Sequence, residues 1–326
     1  MQLHLYLFGA VSHFLCTVSA GPIHNIILAS NSSSSSSSDT PIVLAPITNP
    51  ELFLDFDSTI AISDAFRILP TAAYASPRIN PFLPGWDHYK FLYHQSYDFA
   101  SGFHPANRTV AEELAFQHDL LLRKAEEDHF NRIKESGMFD TIEEPMLLEH
   151  AEGIRFRKGF WELAKEAKRR GVKVSVMSRN LSTRWLRHVL RVHDPEDLSE
   201  EMPIYALEVL PDGLLKPGKQ GMDRPRLDMH SGDDKRNVIR EMKEKGTEVV
   251  FVGDANSDLP PVLMEPAVLG VAARIWGKEE RIVELVDGDD SVELWRLGEG
   301  WKGPGNGERG VYYLEDFDEV QAILGW

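Results

Sequence analysis

Aspartate side chains are concentrated in two short segments that lie far apart in the sequence. The first segment is Asp55-Phe-Asp-Ser-Thr59 and the second is Gly253-Asp-Ala-Asn-Ser-Asp258. If the segments meet in the fold, their four carboxylates repel one another strongly unless a cation lies among them. Oxygen ligands of this kind suit Mg²⁺, which favours carboxylates, water and substrate phosphate. The pattern therefore predicts a magnesium site built from both segments.

Two further segments could add a hydroxyl and a positive charge to this site. Ser178-Arg-Asn180 contributes the hydroxyl, and a lysine contributes the charge that an anionic substrate needs. Two lysines compete for this position, Lys235 at the start of a predicted helix and Lys216 in Gly-Leu-Leu-Lys-Pro. We favour Lys235, because a helix start can bring a lysine to an anion. Lys216 is then a solvated loop charge.

The elements around these segments predict an open α/β fold. Short apolar runs at residues 51–56, 172–177 and 248–252 indicate buried strands, and helical patterns at 63–69, 159–170, 181–192 and 233–245 alternate with them. This alternation is typical of a Rossmann-like parallel sheet covered by helices on both faces. Ligands of such sheets bind at the carboxyl ends of the strands, which is where Asp55, Ser178 and Asp254 are expected.

Residues 70–153 interrupt the alternation and predict an inserted helical cap. An aromatic-rich stretch at 86–99 leads into a predicted helix at 109–134, with Leu114, Leu121 and Ile133 facing inward. The aromatic residues form either the core of the cap or a cage for a quaternary ammonium group. The predicted organisation is an apolar segment with a serine-rich linker (1–46), a core (47–69 and 154–326) and a cap (70–153).

Taken in order, the candidate residues resemble the four motifs of the haloacid dehalogenase superfamily. The motifs are Asp-x-Asp-x-Thr, a strand-terminal serine, a lysine, and Gly-Asp-x-x-x-Asp. The matching residues in that order are Asp55, Asp57 and Thr59; Ser178; Lys235; and Asp254 and Asp258. The resemblance covers residue 51 to about residue 271. It implies a Rossmann-like core and a phosphatase activity.

The resemblance implies a catalytic role for each aspartate of the first motif. Asp55 attacks phosphorus and forms an aspartyl phosphate, which divides one difficult displacement into two easier ones. Asp57 donates a proton to the leaving alkoxide and later accepts one from the attacking water. Relatives that displace halide lack an acid at the position of Asp57, so its presence implies hydrolysis of an ester.

The resemblance also implies how the remaining residues act. Mg²⁺ is held by Asp55, the backbone carbonyl of Asp57, and Asp254, and it reduces the repulsion between nucleophile and phosphate. Asp258 binds a metal-bound water or orients the lysine, and Ser178 donates a hydrogen bond to a phosphoryl oxygen. The lysine places positive charge where the transferring group spreads its own negative charge.

The long interval between Asp55 and Ser178 resembles the helical-cap branch that contains phosphoserine phosphatases. The run Met177-Ser-Arg-Asn180 is more similar to members that act on small phosphoesters such as phosphocholine or a ketopentenyl phosphate of methionine salvage. Serine phosphate is disfavoured, because Arg179 and Asn180 stand where those phosphatases have glycines and are expected to line the pocket. Arg179 either contacts a substrate anion or is a surface arginine.

The function predicted from the sequence is Mg²⁺-dependent hydrolysis of a small-molecule phosphomonoester. Two alternatives remain open at this point. One is a phosphotransferase or phosphomutase that passes the same aspartyl phosphate to a second hydroxyl. The other is a catalytically inactive binding protein that keeps the fold.

The composition limits the partners of the chain. Its 326 residues carry a net charge of −16, which repels nucleic acid and anionic lipid, so neither partner is expected. Nothing after residue 30 is apolar for long enough to span a bilayer, and no stable membrane association is expected. The single cysteine, Cys16, excludes an intrachain disulfide and a cysteine-based zinc site. The oligomeric state does not follow from the sequence.

The first twenty residues are consistent with two locations of the protein. The mostly apolar run 3–20 ends in Val18-Ser-Ala20, which is typical of a cleaved secretory signal. Against secretion, the run has no preceding Lys or Arg, and the sequon Asn180-Leu-Ser182 lies beside the expected site, where a glycan would obstruct it. A cytoplasmic location is favoured, with secretion as the alternative.

Overall fold

The computed structural model describes residues 50–63, 65–245, 247, 249–265, 285 and 315–326, and the backbone of three strands at 268–273, 293–296 and 310–314. All of these residues belong to one compact unit. The signal-like run and the serine-rich linker lie outside the described residues. Within the described part of the chain, no helix combines the length and the apolar character that crossing a membrane requires.

The described part of the chain contains a single sheet of eight strands, and all of its strand pairs are parallel, as the sequence pattern predicts. The strands are β1 (Glu51–Leu54), β2 (Lys173–Met177), β3 (Ile204–Ala206), β4 (Asp223–Pro225), β5 (Val249–Gly253), β6 (Val268–Ala273), β7 (Glu293–Arg296) and β8 (Gly310–Leu314). Their spatial order is β4-β3-β2-β1-β5-β6-β8-β7. Every residue of β1 and β5 is buried, which accounts for their continuous apolar runs.

The order of the strands reverses at β1. The chain passes from β1 to β2 on one side, and it later returns to β5 on the other side. Leu54 is in register with both Val176 of β2 and Val252 of β5. Because a crevice opens outside the carboxyl ends of strands at such a reversal, the fold offers a binding site where these three strands end.

Ten helices cover or extend the sheet within the described residues. They are α1 (Ala65–Tyr74), α2 (Trp86–Ser101), α3 (Val110–Gln117), α4 (Leu120–Glu135), α5 (Glu144–Glu152), α6 (Phe160–Arg170), α7 (Thr183–His193), α8 (Gly232–Glu244), α9 (Leu259–Leu263) and α10 (Phe317–Leu324). Helix α6 ends at Gly171 in the left-handed conformation, as the C-cap signal predicts. Helices α2–α5 (86–152), between β1 and β2, are called the insert helices below.

The predicted helix at 63–69 ends later than expected. Helix α1 continues through Pro70 to Tyr74, although proline cannot donate the backbone hydrogen bond of that turn. Leu69, Pro70, Ala72 and Ala73 are all buried, and this packing stabilises the helix past the break signal. The predicted start of the cap at residue 70 therefore falls inside a helix, and the division into core and cap stays a prediction.

The predicted helix at 109–134 is two helices. The chain breaks between α3 and α4, where the Asp119 side chain accepts a hydrogen bond from the backbone N–H of Leu121 and begins α4. The break changes the helical phase, so Leu122 is buried whereas Leu121 is 38% exposed. The prediction that Leu121 faces inward is wrong. Ile133 is buried as predicted, and Leu114 packs against a small cluster with Val110.

Candidate active site

Three adjacent strands deliver the predicted site residues to one edge of the sheet. Asp55 follows β1, Ser178 follows β2, and Asp254 follows β5. The backbone N–H of Asp55 donates to the carbonyl of Val252 at 2.8 Å, which extends the pairing of β1 and β5 by one residue. The sheet thus brings together side chains that lie in separate thirds of the chain.

Asp55, Asp254 and Asp258 form a buried cluster of carboxylates. One oxygen from each lies within 4.8 Å of the other two. Burial raises the pKa of Asp55 to about 7, a rise that Lys235 opposes and Asp258 reinforces. Burial and the charge of Asp55 also raise the pKa of Asp254 well above its usual value. A bound cation would offset both the burial of these carboxylates and the repulsion between them, so the donor set fits a divalent metal.

Lys235 bridges two members of this cluster. Its Nζ donates to Asp55 Oδ1 and to Asp258 Oδ1, each at 2.7 Å, and only 1% of the residue is exposed. Burial alone would lower the pKa of the Lys235 amine, but Asp258 and Asp55 outweigh this effect and raise it. Lys216 is exposed on a loop and does not line the cavity described below. Of the two candidate lysines, Lys235 is therefore the one at the carboxylate cluster.

The start of helix α8 positions Lys235. Ser231 caps the helix, and its hydroxyl exchanges hydrogen bonds with Asp234 in a capping box. A Cβ at Gly232 would lie 2.6 Å from the carbonyl oxygen of Ser257, so only glycine allows the helix to approach the loop after β5 this closely. The approach places Lys235, in the first turn, against Asp258.

Asp258 also shapes the loop that carries Asp254. Its Oδ2 accepts hydrogen bonds from the backbone N–H groups of Asp254 at 3.0 Å and Ala255 at 2.9 Å. Thr59 Oγ1 donates to Asp254 Oδ1 at 2.9 Å from the opposite side. These contacts hold the Asp254 carboxylate against Asp55 in spite of the repulsion between them.

The Asp57 carboxylate lies outside this cluster and points to the start of α1 and to the end of β2. Its Oδ1 accepts a hydrogen bond from the backbone N–H of Phe66 at 2.9 Å. Its Oδ2 accepts from Asn180 Nδ2 at 3.0 Å and from Ser178 Oγ at 3.4 Å. The structure therefore brings Asp57, Ser178 and Asn180 together.

A buried arginine, Arg157, holds the loop after β1 that carries Asp55, Asp57 and Thr59. The sequence pattern did not predict a role for this arginine. Ser58 has a φ of 64°, in the left-handed region that non-glycine residues rarely adopt. Arg157 donates to the carbonyls of Ser58 at 2.6 Å, Thr59 at 2.8 Å and Glu315 at 2.8 Å. The bonds to Ser58 and Thr59 satisfy carbonyl groups that the tight turn leaves without a partner in a strand or helix.

A cavity of about 410 Å³ opens above the carboxylate cluster. Its floor contains Asp55, Asp57, Ser178 and Lys235, and its walls come from the insert helices and from the residues after β2. The wall residues include Trp86, Tyr93, Glu126, His129, Arg179 and Asn180. The predicted aromatic stretch is helix α2, whose residues divide: Tyr89 is buried, Phe91 and Phe99 are exposed, and Trp86 and Tyr93 face the cavity.

Three residues of this region carry no signal in the sequence. Glu126 belongs to a charged helix face, and His129 resembles any other scattered histidine. Arg157 is one of many basic residues near a helix start. Each acquires its place only because the insert helices or α6 pack against the strand ends.

Comparison with known proteins places the chain near several phosphatase structures. No family model matches the chain, and no curated protein matches it. Among solved structures, a phospho-aspartyl intermediate analogue of phosphoserine phosphatase is 14% identical, with a TM-score of 0.46, and the match covers 84% of this chain and 98% of that one. Cytosolic 5'-nucleotidase IIIB bound to cytidine is 15% identical, with a TM-score of 0.49 and coverage of 86% and 85%.

A phosphoserine phosphohydrolase-like protein from Francisella tularensis subsp. tularensis SCHU S4 is also 15% identical, with a TM-score of 0.42 and coverage of 84% of this chain and 99% of that one. The identities are this low and the TM-scores lie below 0.5, so these similarities assign no activity to the chain.

Proposed function

We propose that the protein hydrolyses a small-molecule phosphomonoester through an aspartyl phosphate on Asp55, with Mg²⁺ as cofactor. The observation that carries the proposal is the position of Lys235, which donates to Asp55 and Asp258 beside Asp254. A structural aspartate needs no such surroundings. A nucleophile that must approach an anionic phosphate needs neighbouring cations that keep it ionised and lower the repulsion.

Asp55 carries the phosphoryl group in this mechanism. One of its carboxylate oxygens bonds to phosphorus while the bond between phosphorus and the ester oxygen breaks. Water then attacks phosphorus, the bond to the Asp55 oxygen breaks, and inorganic phosphate leaves. Burial raises the pKa of Asp55 to about 7, and Lys235 acts against this rise, so the lysine helps to keep the nucleophile ionised at neutral pH.

Asp57 moves the protons. It donates a proton to the leaving alkoxide in the first step and accepts one from the attacking water in the second. Its hydrogen bonds to the Phe66 backbone and to Asn180 fix the carboxyl group at the floor of the cavity. Ser178 lies on the same side and supplies a donor for a phosphoryl oxygen.

Asp55 and Asp254 would hold the metal, together with the backbone carbonyl of Asp57. The cluster of possible ligands includes Asp258 in addition, which lies against Lys235. When bound, Mg²⁺ supplies positive charge that reduces the repulsion between the carboxylates and the substrate phosphate. Thr59 positions Asp254 for this purpose through its hydroxyl.

Phosphate release from a panel of small phosphomonoesters tests the proposal. The native protein, Asp55→Asn and the control Asp212→Asn, whose aspartate is exposed on a loop, are assayed with Mg²⁺ and with chelator. We expect Mg²⁺-dependent release from the native protein and the control, and a loss of at least about 10³-fold in Asp55→Asn. Mass spectrometry of the quenched reaction should find one added phosphoryl group on the peptide that contains Asp55.

Two results would point to the other functions that the site allows. An aspartyl phosphate that forms without bulk phosphate release, but that transfers to an added alcohol, would identify a phosphotransferase or mutase. The absence of both products for every ester would contradict catalysis and favour a binding protein.

A further inference from the structure

The guanidinium group of Arg179 is held at the wall of the cavity by residues of α2 and α4. Arg179, after β2, donates from Nη1 to Glu126 Oε1 of α4 at 2.8 Å. Tyr93 Oη of α2 donates to the same oxygen at 2.8 Å. Burial and the nearby Glu126 raise the pKa of Tyr93 well above its usual value, so the phenol keeps its proton and remains a donor. Glu126 is thus anchored from one side and holds Arg179 on the other.

The anchoring leaves most of the guanidinium available to a ligand. Arginine has five N–H donors, and among the described residues only Nη1 of Arg179 has a hydrogen-bond partner. Both side chains line the cavity, and Arg179 is the more exposed of the two, at 36% against 13% for Glu126. Because Glu126 and Tyr93 hold Arg179 in one position, the arginine loses less conformational entropy when it binds an anion than a flexible arginine would.

The other charges on this wall also favour an anion. Arg67 and Lys90 line the same cavity, and Glu126 is the acidic residue of the insert helices that faces it. Lys90 is paired with Asp87, whose side chain is 92% exposed, so water screens the opposing charge. The remaining acidic residues, Asp55, Asp57 and Asp254, lie at the floor beside Lys235 and the proposed metal.

We propose that the leaving group of the substrate carries a second anionic group, a carboxylate or a phosphate, and that Arg179 binds it. The inference rests on the proposed function, because it describes the part of the substrate that leaves when Asp55 takes the phosphoryl group. The planar fork of Arg179 can donate two parallel hydrogen bonds to either kind of anion. Glu126 and Tyr93 act as positioning residues for this fork.

Three matched esters test the inference: phenyl phosphate, 4-carboxyphenyl phosphate and 1,4-phenylene bisphosphate. They share a phenyl ring and an aryl phosphate bond, and they differ in the group at the para position, which is hydrogen, a carboxylate or a second phosphate. Because the group also changes the leaving phenol, the comparison is the ratio of variant to native protein for each ester. We expect Arg179→Gln to lower kcat/KM for one or both charged esters by about 10- to 100-fold more than for phenyl phosphate, mostly through KM. Whichever charged ester loses more identifies the anion as carboxylate or phosphate.

Two further variants separate recognition from side effects. Arg179→Gln removes the cation that faces Glu126 and leaves Tyr93 as its hydrogen-bond partner, so the charge of the Glu126 carboxylate is no longer neutralised and repels an anion. The double variant Arg179→Gln/Glu126→Gln removes both charges together, and the selective loss should persist in it. Lys124→Gln, on a 69% exposed lysine of α4, removes one positive charge away from the cavity and should change none of the ratios.

An equal loss for all three esters in Arg179→Gln would overturn the inference, because it would mean that Arg179 contacts the transferring phosphoryl group. Recovery of charged-ester activity in the double variant would overturn it too. If the native protein hydrolyses phenyl phosphate but shows no preference for either charged ester, the inference fails while the proposed function stands. If it hydrolyses none of the three and none of the wider panel, the proposed function fails.

Discussion

Lys235 is the residue whose surroundings say most about the site. It is 1% exposed and lies 2.7 Å from both Asp55 and Asp258, which are also buried. Removal of one partner from a buried ion pair costs about 3–5 kcal/mol, because the other charge is left without compensation. The lysine therefore has a structural and a chemical role at once, and a suitable pair of variants can measure both.

We predict that Lys235→Met lowers the free energy of unfolding, measured in chelator, by about 3 kcal/mol. In the presence of Mg²⁺, the same variant should release no phosphate. The matched control is Lys216→Met, which removes the exposed competitor and should change stability by less than about 0.5 kcal/mol and leave activity intact. Denaturant unfolding and the phosphate assay measure the two effects. An inactive Lys216→Met beside an active Lys235→Met would reverse the assignment of the lysine.

His129 is a second residue whose environment makes a measurable difference. It is 7% exposed, its ring packs against Tyr93 at 4.8 Å and Trp86 at 6.0 Å, and its Nδ1 has no hydrogen-bond partner in the described part of the chain. Burial, with help from Arg132 and His94, lowers the pKa of His129 from 6.5 to about 4. The imidazole is therefore neutral in the folded protein at physiological pH.

The lowered pKa predicts acid sensitivity. Between pH 6.5 and about 4, His129 binds a proton in the unfolded chain but not in the folded protein. The contribution of the neutral His129 to the free energy of unfolding is therefore complete above pH 6.5 and is lost as the pH falls towards 4. From pH 7 to pH 4, the native protein should lose about 3 kcal/mol more than His129→Phe. Denaturant unfolding with Mg²⁺ present throughout measures the difference. His88→Phe, at an exposed position, should give no such difference; a parallel loss in native protein and His129→Phe would contradict the prediction.

At the scale of elements, the loop after β1 depends on a side chain from the start of α6. Arg157 is 7% exposed and donates to the carbonyls of Ser58, the residue in the left-handed conformation, and of Thr59, which follows it. It also binds the carbonyl of Glu315, two residues before α10. Arg157 therefore links the loop after β1 to the C-terminal end of the described structure.

We predict that Arg157→Met lowers the free energy of unfolding by about 3 kcal/mol, since buried carbonyls lose a charged donor. Phosphate release should fall by about 10- to 100-fold even at temperatures where the variant is fully folded, because the loop no longer fixes Asp55 and Asp57. Arg155→Met, on an exposed arginine two residues earlier, is the matched control. Full activity in a folded but destabilised Arg157→Met would limit the arginine to a structural role.

At the scale of the whole molecule, ion pairs join the insert helices to helix α8 and to the segment after β2, beside the cavity. Arg123 of α4 lies 2.7 Å from Asp234 of α8, next to Lys235, and Glu126 holds Arg179 at the other wall. The hydrophobic core is also continuous, since Phe130 and Ile133 of α4 belong to the same cluster as Leu52 of β1. The site is therefore built only when the entire described unit is folded.

This dependence predicts that a bound cation stabilises the whole protein. A metal that binds only the folded state adds about 2.7 kcal/mol when its concentration is 100 times its Kd. Mg²⁺ should therefore raise the melting temperature of the native protein but have little effect on Asp254→Asn. Sodium chloride at matched ionic strength controls for screening. Unchanged melting of the native protein over the full Mg²⁺ titration would argue against the metal site.

The sequence by itself determined the α/β class and the strand ends that carry the candidate residues. Continuous apolar runs have few alternatives to buried parallel strands, and a polar residue that follows such a run must lie at the sheet edge. Asp55, Ser178 and Asp254 each follow such a run, and in the structure they follow β1, β2 and β5. Local signals also predicted the end of α6 at Gly171, because glycine is the residue that adopts the left-handed cap without strain.

Only the tertiary structure decided how α1 passes Pro70, where the helix at 109–134 breaks, and which side chains line the cavity. Local propensity is weak, and packing against a buried face outweighs it at Pro70. The choice between Lys235 and Lys216, and the positions of Arg157, Glu126 and His129, depend on contacts between residues far apart in the chain. A pattern of neighbouring residues does not contain such contacts, and they exist only once the sheet has set the distances.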